Sequence, residues 1–255
     1  MDGASFNIIR DLYLAEQNLV IVCDDLLHPI EVLLRTRFAY HYAERVGSCG
    51  KFVLGEGFTH PPKSIARPIE HYLLANLNRS QETFIAHYRE DIKEEGRYTP
   101  EAYEHMPVWV AVEAFSFGNL SRVIQASRRA GVLDDLATSM NLSKRTLSSQ
   151  VRSFVYLRNR IAHCAKLWNH SVFDVPGIQR NIVRRTKKNH YNFTDHSVYK
   201  IFVALNLVAS ASGLKTTWLS ETVDPILRSN QLLAAGITNP VKYGQMPIEL
   251  LTSSI

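Results

Sequence analysis

From Ser143 to about Ala165, apolar residues return at every third or fourth position: Leu147, Val151, Phe154, Leu157 and Ile161. That spacing lays all five along one stripe of a helix and ties the segment to a helical core, with Ser143 as the expected N-cap. The same period recurs along the chain. It predicts helices over about Ser5–Val22 and Asp25–Arg45, with Pro29 in the first turn of the second and Gly47 as its stop. Further helices are predicted over Ser64–Leu77, restarting near Pro68, from Ser80 onward, over Val108–Ala130 (the most apolar), and over Asp195–Ser212, with smaller ones from Thr216. Period-2 alternation is scarce, and no Asn-Gly or Asp-Gly pair sits between two strand-like runs. Gly50–Pro62, Gly96–Pro107 and Ser171–Thr194 read as loops or irregular connections. The expected fold class is therefore all-α. No Pro/Ser-rich linker divides the 255 residues. A single domain over 1–255 is expected, its core about 5–210, with 211–255 as a helical C-terminal extension.

Hydrophobic residues make up 45% and charged residues 21% of the chain, an ordinary balance for a globular protein. Charges interrupt every apolar run before the roughly 18–20 residues a membrane span needs, so no membrane partner is expected. The start, Met-Asp-Gly-Ala-Ser, lacks the basic opening of a signal peptide. Cys23, Cys49 and Cys164 show no CxxC spacing, which suits a reducing cytoplasm. The histidines form no His-x3-His or Cys/His cluster, so neither a metal nor another cofactor is expected.

Charge is unevenly spread. Lys144–His190 holds eleven Lys/Arg and one acid, Asp174, for a net +10, whereas the remainder holds 18 Lys/Arg against 23 Asp/Glu, net −5. A basic segment on a slightly acidic body is the electrostatic footprint of a polyanion binder. Within it, Arg184, Arg185, Lys187 and Lys188 lie close to Tyr191 and Phe193, mixing cations with aromatics as single-strand binders do. Lys144, Arg145, Arg152, Arg160 and Lys166 extend the basic run, and Arg35 and Arg37 share a helix with Tyr40, His41 and Tyr42. All eleven of these cations are candidate RNA contacts.

The end of the Ser143–Ala165 helix gathers Arg158, Asn159 and His163. Asn159 and His163, four apart, share a face. Arg158 stands five before His163, about 140° around the axis at 3.6 residues per turn, so the two converge only at a distorted helix end or through a second copy of the strip. The residue types suit cleavage of RNA by its own 2′-hydroxyl. Imidazole moves a proton near neutral pH, and a guanidinium meets the charge developing on phosphorus. Such a reaction needs no metal, because the nucleophile belongs to the substrate. An Arg-x4-His pair alone, however, equally describes a solvated cation and an ordinary polar contact.

The wider context narrows this. Arg158-Asn159-x-x-Ala162-His163…Leu167-Trp168-Asn169 resembles the signature of the Abi-like proteins of bacterial abortive infection, within the HEPN superfamily of α-helical nucleases. Three more segments resemble that family in order. These are Leu34-Arg35-Thr36-Arg37-Phe38-Ala39-Tyr40-His41-Tyr42; Glu82-Thr83-Phe84-Ile85-x-His87-Tyr88; and Pro107-Val108-Trp109-Val110-Ala111-Val112-Glu113-x-Phe115-Ser116-Phe117-Gly118-x-Leu120-Ser121. The likeness covers roughly residues 5 to 210. It implies a HEPN-type helical bundle with additional helices and a metal-independent endoribonuclease of phage defence. It also implies a homodimer whose two Arg-x4-His strips form one composite site, with Arg158 and His163 as the catalytic pair and Asn159 as polar helper. The products would be a 2′,3′-cyclic phosphate and a 5′-hydroxyl. Some relatives are encoded beside a structured non-coding RNA, so a regulatory RNA partner joins the expectations. The sequence departs from the family pattern at Cys164, where a second His is common, and at Lys166, where Arg precedes Leu-Trp-Asn. Two other readings stand beside the nuclease: a protein that holds a structured RNA with little or no cleavage, and a helical module for protein interaction.

Overall fold

A computed structural model describes residues 5–59 and 67–240. Among them are eleven α-helices and one two-stranded hairpin, so the fold is all-α. Among the described residues no helix is long and apolar enough to cross a membrane. The chain divides into two compact units: residues up to Ile30 together with Arg145 onward, and Glu31–Lys144.

The first departure from expectation is at the start. One helix, α1 (Phe6–Arg45), replaces the two predicted, with Pro29 in its interior. Leu19, Cys23, Leu26, Leu27, Ile30, Leu34, Phe38 and Tyr42 are all buried. That stripe keeps step across Pro29, so packing carries the helix through a residue that removes one ladder hydrogen bond. Gly47, at φ +151°, donates its N–H to the Tyr42 carbonyl and closes the helix as predicted.

In the Arg145-onward unit the central element is α9 (Val198–Ala211), started by Ser197, whose hydroxyl accepts from the Lys200 N–H at 3.3 Å. Nearly every side chain from Val198 to Leu205 is buried, the signature of a helix enclosed on all sides. It packs against α7 (Leu147–Ala162), which buries Leu147, Val151, Phe154 and Leu157 as the periodicity predicts. The α7 helix starts at Leu147 rather than at Ser143, because a turn occupies 144–146. Ser171–Thr194 is not loop throughout: Arg180–Asn189 forms α8, with Ile182, Val183 and the buried Thr186 on its inner side. A π-helical turn (Leu219–Val223) leads into α10 (Asp224–Ser229) and α11 (Gln231–Thr238), so the 211–240 part of the expected extension is helical and shares this core.

The Glu31–Lys144 unit holds α2 (Ile69–Arg79), α3 (Thr83–His87), α4 (Val108–Ala111), α5 (Phe117–Ala126) and α6 (Val132–Ser139). The stretch before Arg67 of the helix predicted at 64–77 lies outside the described residues; its remainder begins after Pro68. The predicted Val108–Ala130 helix is broken. Phe115 is extended, and Ser116 restarts the chain by accepting the Asn119 N–H at 3.2 Å, the cap that the apolar run concealed. A hairpin not expected from the sequence turns at Gly96, where the predicted irregular connection begins: β1 (Lys93–Glu94) with β2 (Arg97–Tyr98), antiparallel, Lys93 opposite Tyr98. Its turn, Glu95-Gly96, places both residues at positive φ (49° and 77°), the type I′ geometry that Asn-Gly usually signals.

Candidate functional site

Arg158, Asn159 and His163 are all exposed at the C-terminal end of α7, and among the described residues none of the three side chains has a hydrogen bond or ion pair. The helix stays regular through Ala162. His163 caps it at φ −96°, ψ 14°, its N–H bonded to the Asn159 carbonyl at 3.1 Å. The offset of Arg158 from His163 therefore persists in a single chain, and no hydrogen bond joins them. Cys164 then takes φ +49°, its N–H reaching the Ile161 carbonyl at 3.0 Å, while the Ala165 N–H reaches that of Arg160 at 2.8 Å. This pair of bonds is a complete Schellman ending, with a cysteine where glycine is usual. A β-branched residue tolerates that backbone poorly. Cys164→Val is expected to lower stability by about 1–2 kcal/mol and Cys164→Gly to leave it equal or slightly higher, as read from urea midpoints.

The chain reversal at Cys164 sets the next contacts. Arg160 directs both Nε, at 3.0 Å, and a terminal nitrogen onto the Lys166 carbonyl, so its guanidinium holds the turn. Tyr156 stacks on His170 at 5.8 Å and hydrogen-bonds its ring. Burial, followed by the nearby Arg160 cation, pushes His170 below the usual imidazole range. The Leu167 and Trp168 N–H groups both donate to Glu16 Oε1, at 2.7 Å each, and the Trp168 indole donates to the Leu232 carbonyl at 2.9 Å. Gly236 lies against that indole. A methyl group added there would stand 2.5 Å from Trp168 Nε1 and 2.9 Å from the Asn169 nitrogen. Gly236→Ala is expected to cost about 1–3 kcal/mol and to shift tryptophan fluorescence, a sign that the indole has moved.

The α8 helix adds the second feature. Arg180, Arg184, Lys187 and Lys188 follow positions i, i+4, i+7 and i+8, so they share one face, and all four are exposed. The helix contains no acid. Lys187 also sits 5.1 Å from the centre of the Phe193 ring.

Residues 1–169 match the Abi-like protein family. The chain belongs to that family. Membership associates this Abi-like protein with abortive infection, a defence against phage. No curated protein and no solved structure matches it. The matched segment ends one residue after Trp168, so it contains the whole Arg158–Trp168 strip but not the α8 face or α9.

The remaining predicted contacts of the Abi-like chain fall into two groups. Arg145, Lys166 and Arg185 are exposed and, among the described residues, make no side-chain hydrogen bond or ion pair; Arg152 is exposed with Asp174 at 3.4 Å. In the Glu31–Lys144 unit, Arg37 is exposed, Lys144 pairs with Asp134 at 2.7 Å, and Arg35 is held by Glu31 at 2.5 Å and by the Val112 carbonyl. Arg35 therefore braces its own unit. Sequence reasoning missed Glu16. Its signal was position: an acid on the stripe that continues as Leu19 and Cys23 is buried, and a buried carboxylate needs donors.

Proposed function

We propose that this Abi-like protein is a metal-independent endoribonuclease of the HEPN type, active as a homodimer. The observation that carries the reading is the state of Arg158, Asn159 and His163. They are exposed and unengaged, on a helix end that Arg160, Glu16 and Trp168 hold rigid. Side chains without an internal partner are free to meet a substrate, and a site built on braced elements keeps its geometry. The cationic face of α8 lies in the same unit and supports binding of a phosphate backbone.

In the proposed reaction the 2′-oxygen of a ribose attacks the adjacent phosphorus, and the 5′-oxygen of the next nucleotide leaves. His163 of one copy takes the 2′ proton, water supplies one to the departing 5′-oxygen, and the Arg158 that meets the phosphate belongs to the second copy. Arg158 stabilises the charge gathered on the phosphoryl oxygens, and Asn159, on the His163 face, orients imidazole or phosphate. The bond formed and the bond broken leave a 2′,3′-cyclic phosphate and a 5′-hydroxyl. The offset of Arg158 from His163 around α7 supports the reading that two copies meet at one site.

The test is RNA cleavage by the purified protein in excess EDTA. Wild type is expected to retain its rate, and His163→Ala to lose about 10²–10⁴-fold, the usual contribution of a general acid or base. Equal rates for the two proteins, or loss of wild-type activity on chelation, would overturn the proposal. A second reading, an RNA-holding protein that binds a structured non-coding RNA without cutting it, draws on the same single-chain offset. Intact co-purifying RNA, bound in a steeply salt-dependent way by a protein that cuts nothing, would favour it.

A further inference from the structure

Beyond the family-matched segment, the unit that carries α7 holds a second group of chemically capable side chains. His190 follows α8 and donates Nδ1–H to Asp224 Oδ2 at 2.6 Å. The other oxygen of Asp224 accepts the Tyr199 hydroxyl at 2.7 Å. The Asp224 side chain is 3% exposed, so both of its oxygens are satisfied inside the protein. A carboxylate can only accept, so this arrangement fixes the proton on Nδ1 and leaves Nε2 as the free ring nitrogen. The His190 side chain remains 22% exposed.

His190 lines a cavity of about 130 Å³ between α8, α9 and the π-helical turn. One water needs only ~10–15 Å³, so the space admits a multi-atom group. Its lining brings together Arg185, Asn189 and Asn206 with apolar Ile182 and Leu207, and no carboxylate faces it, Asp224 lying behind the imidazole. Asn206 uses its Oδ1 to accept the Leu219 N–H at 3.0 Å, which pins the π-helical turn and leaves its amide N–H₂ for a ligand. π-Helical turns recur at functional sites. A guanidinium and two amides form a donor set that matches a phosphate, the oriented imidazole adds an Nε2–H donor when the ring carries its second proton, and the aliphatic side chains match the flat apolar faces of a base or sugar.

We infer that this cavity binds a nucleotide phosphate ester, gripped by Arg185 and by His190 as oriented by buried Asp224. The inference goes beyond the ribonuclease reading and needs no cleavage. The phosphate arrives either on a free mononucleotide or as part of an RNA strand following the α8 cations.

The test uses the full chain and follows the His190 ring nitrogens by NMR, with calorimetry alongside. The 5′-monophosphates of adenosine, guanosine, cytidine and uridine form one arm, and a single-stranded oligoribonucleotide forms the other. Shifts of Nε2 with a mononucleotide assign the site to a free ligand. Shifts with the oligoribonucleotide alone assign it to RNA. In either case Arg185→Ala, an exposed position whose melting temperature checks the fold, is expected to weaken the effect about tenfold or more, the loss of one charge-assisted contact. Asp224→Asn, if folded, is expected to change the starting Nδ1 signal as well, because the oriented proton is lost. A His190 ring that responds to neither arm, or a response equally strong in Arg185→Ala, overturns the inference. Because no arm depends on RNA being cut, an inactive His163 site and an empty cavity are separate outcomes.

Discussion

Mixing Arg158→Ala protein with His163→Ala protein is expected to restore ribonuclease activity that neither preparation shows alone. Each variant by itself loses about 10²–10⁴-fold, because every dimer it forms lacks all of one catalytic group. After subunit exchange about half of the dimers are hybrids, each with one intact Arg158 on one chain and one intact His163 on the other. If the two strips build one composite site, a hybrid regains one productive pair, and activity rises by about one to three orders of magnitude above either parent. The single-chain geometry makes this informative. Arg158 and His163 stand five residues apart on a helix that stays regular to Ala162, and nothing local brings them together. A mixture as inactive as its components, with exchange verified by native mass spectrometry, would exclude a shared site.

The second large effect concerns stability. Glu16→Ala removes the acceptor that the Leu167 and Trp168 N–H groups share, at 2.7 Å each, inside the protein. Two donors left without partners cost about 2–5 kcal/mol together. At roughly 2–4 °C per kcal/mol for a domain of this size, the melting temperature should fall by about 4–20 °C. Glu16→Gln keeps an oxygen at the same position and should cost about 1 kcal/mol, the difference between a charged and a neutral acceptor. Calorimetry that finds Glu16→Ala as stable as wild type would mean the two N–H groups find other partners. Glu16 touches none of Arg158, Asn159 or His163 but braces the helix end that carries them, so cleavage by Glu16→Ala is expected to fall with the loss of that brace and to be largely kept in Glu16→Gln.

Much of this was legible from residue order, and the exceptions have physical causes. The α7 stripe was readable because four buried apolar side chains keep helical period without interruption. The same period puts Asn159 and His163 off that stripe, whereas Arg158, four after Phe154 and seven after Val151, falls on it and is exposed only because the helix end runs past the core. α8 was hidden because five cations in ten residues mimic a solvated loop; only Ile182, Val183 and Thr186, spaced along its inner side, report the helix. The break in the predicted Val108–Ala130 helix depended on one capping hydroxyl, Ser116, which outweighs continuous apolar character. Arg160 looked like another RNA contact. Its inward role depends on Cys164 turning the backbone so that the Lys166 carbonyl comes back to meet it, and a positive φ at cysteine has no pattern in the sequence. The His190–Asp224–Tyr199 group spans more than thirty positions and exists only once α8, α9 and α10 are packed.

The family match ends at residue 169, short of the 210 expected from the sequence, yet Trp168 takes its hydrogen-bond acceptor from Leu232 and rests on Gly236. What is recognisable by descent and what folds as a piece are thus different lengths of chain. A gene shortened to the recognisable part would keep every letter of the Arg158–Trp168 strip and lose α9, the core that α7 leans on, together with the seat of the indole. Trimming or grafting this protein therefore has to follow the seat of Trp168, not the edge of the motif.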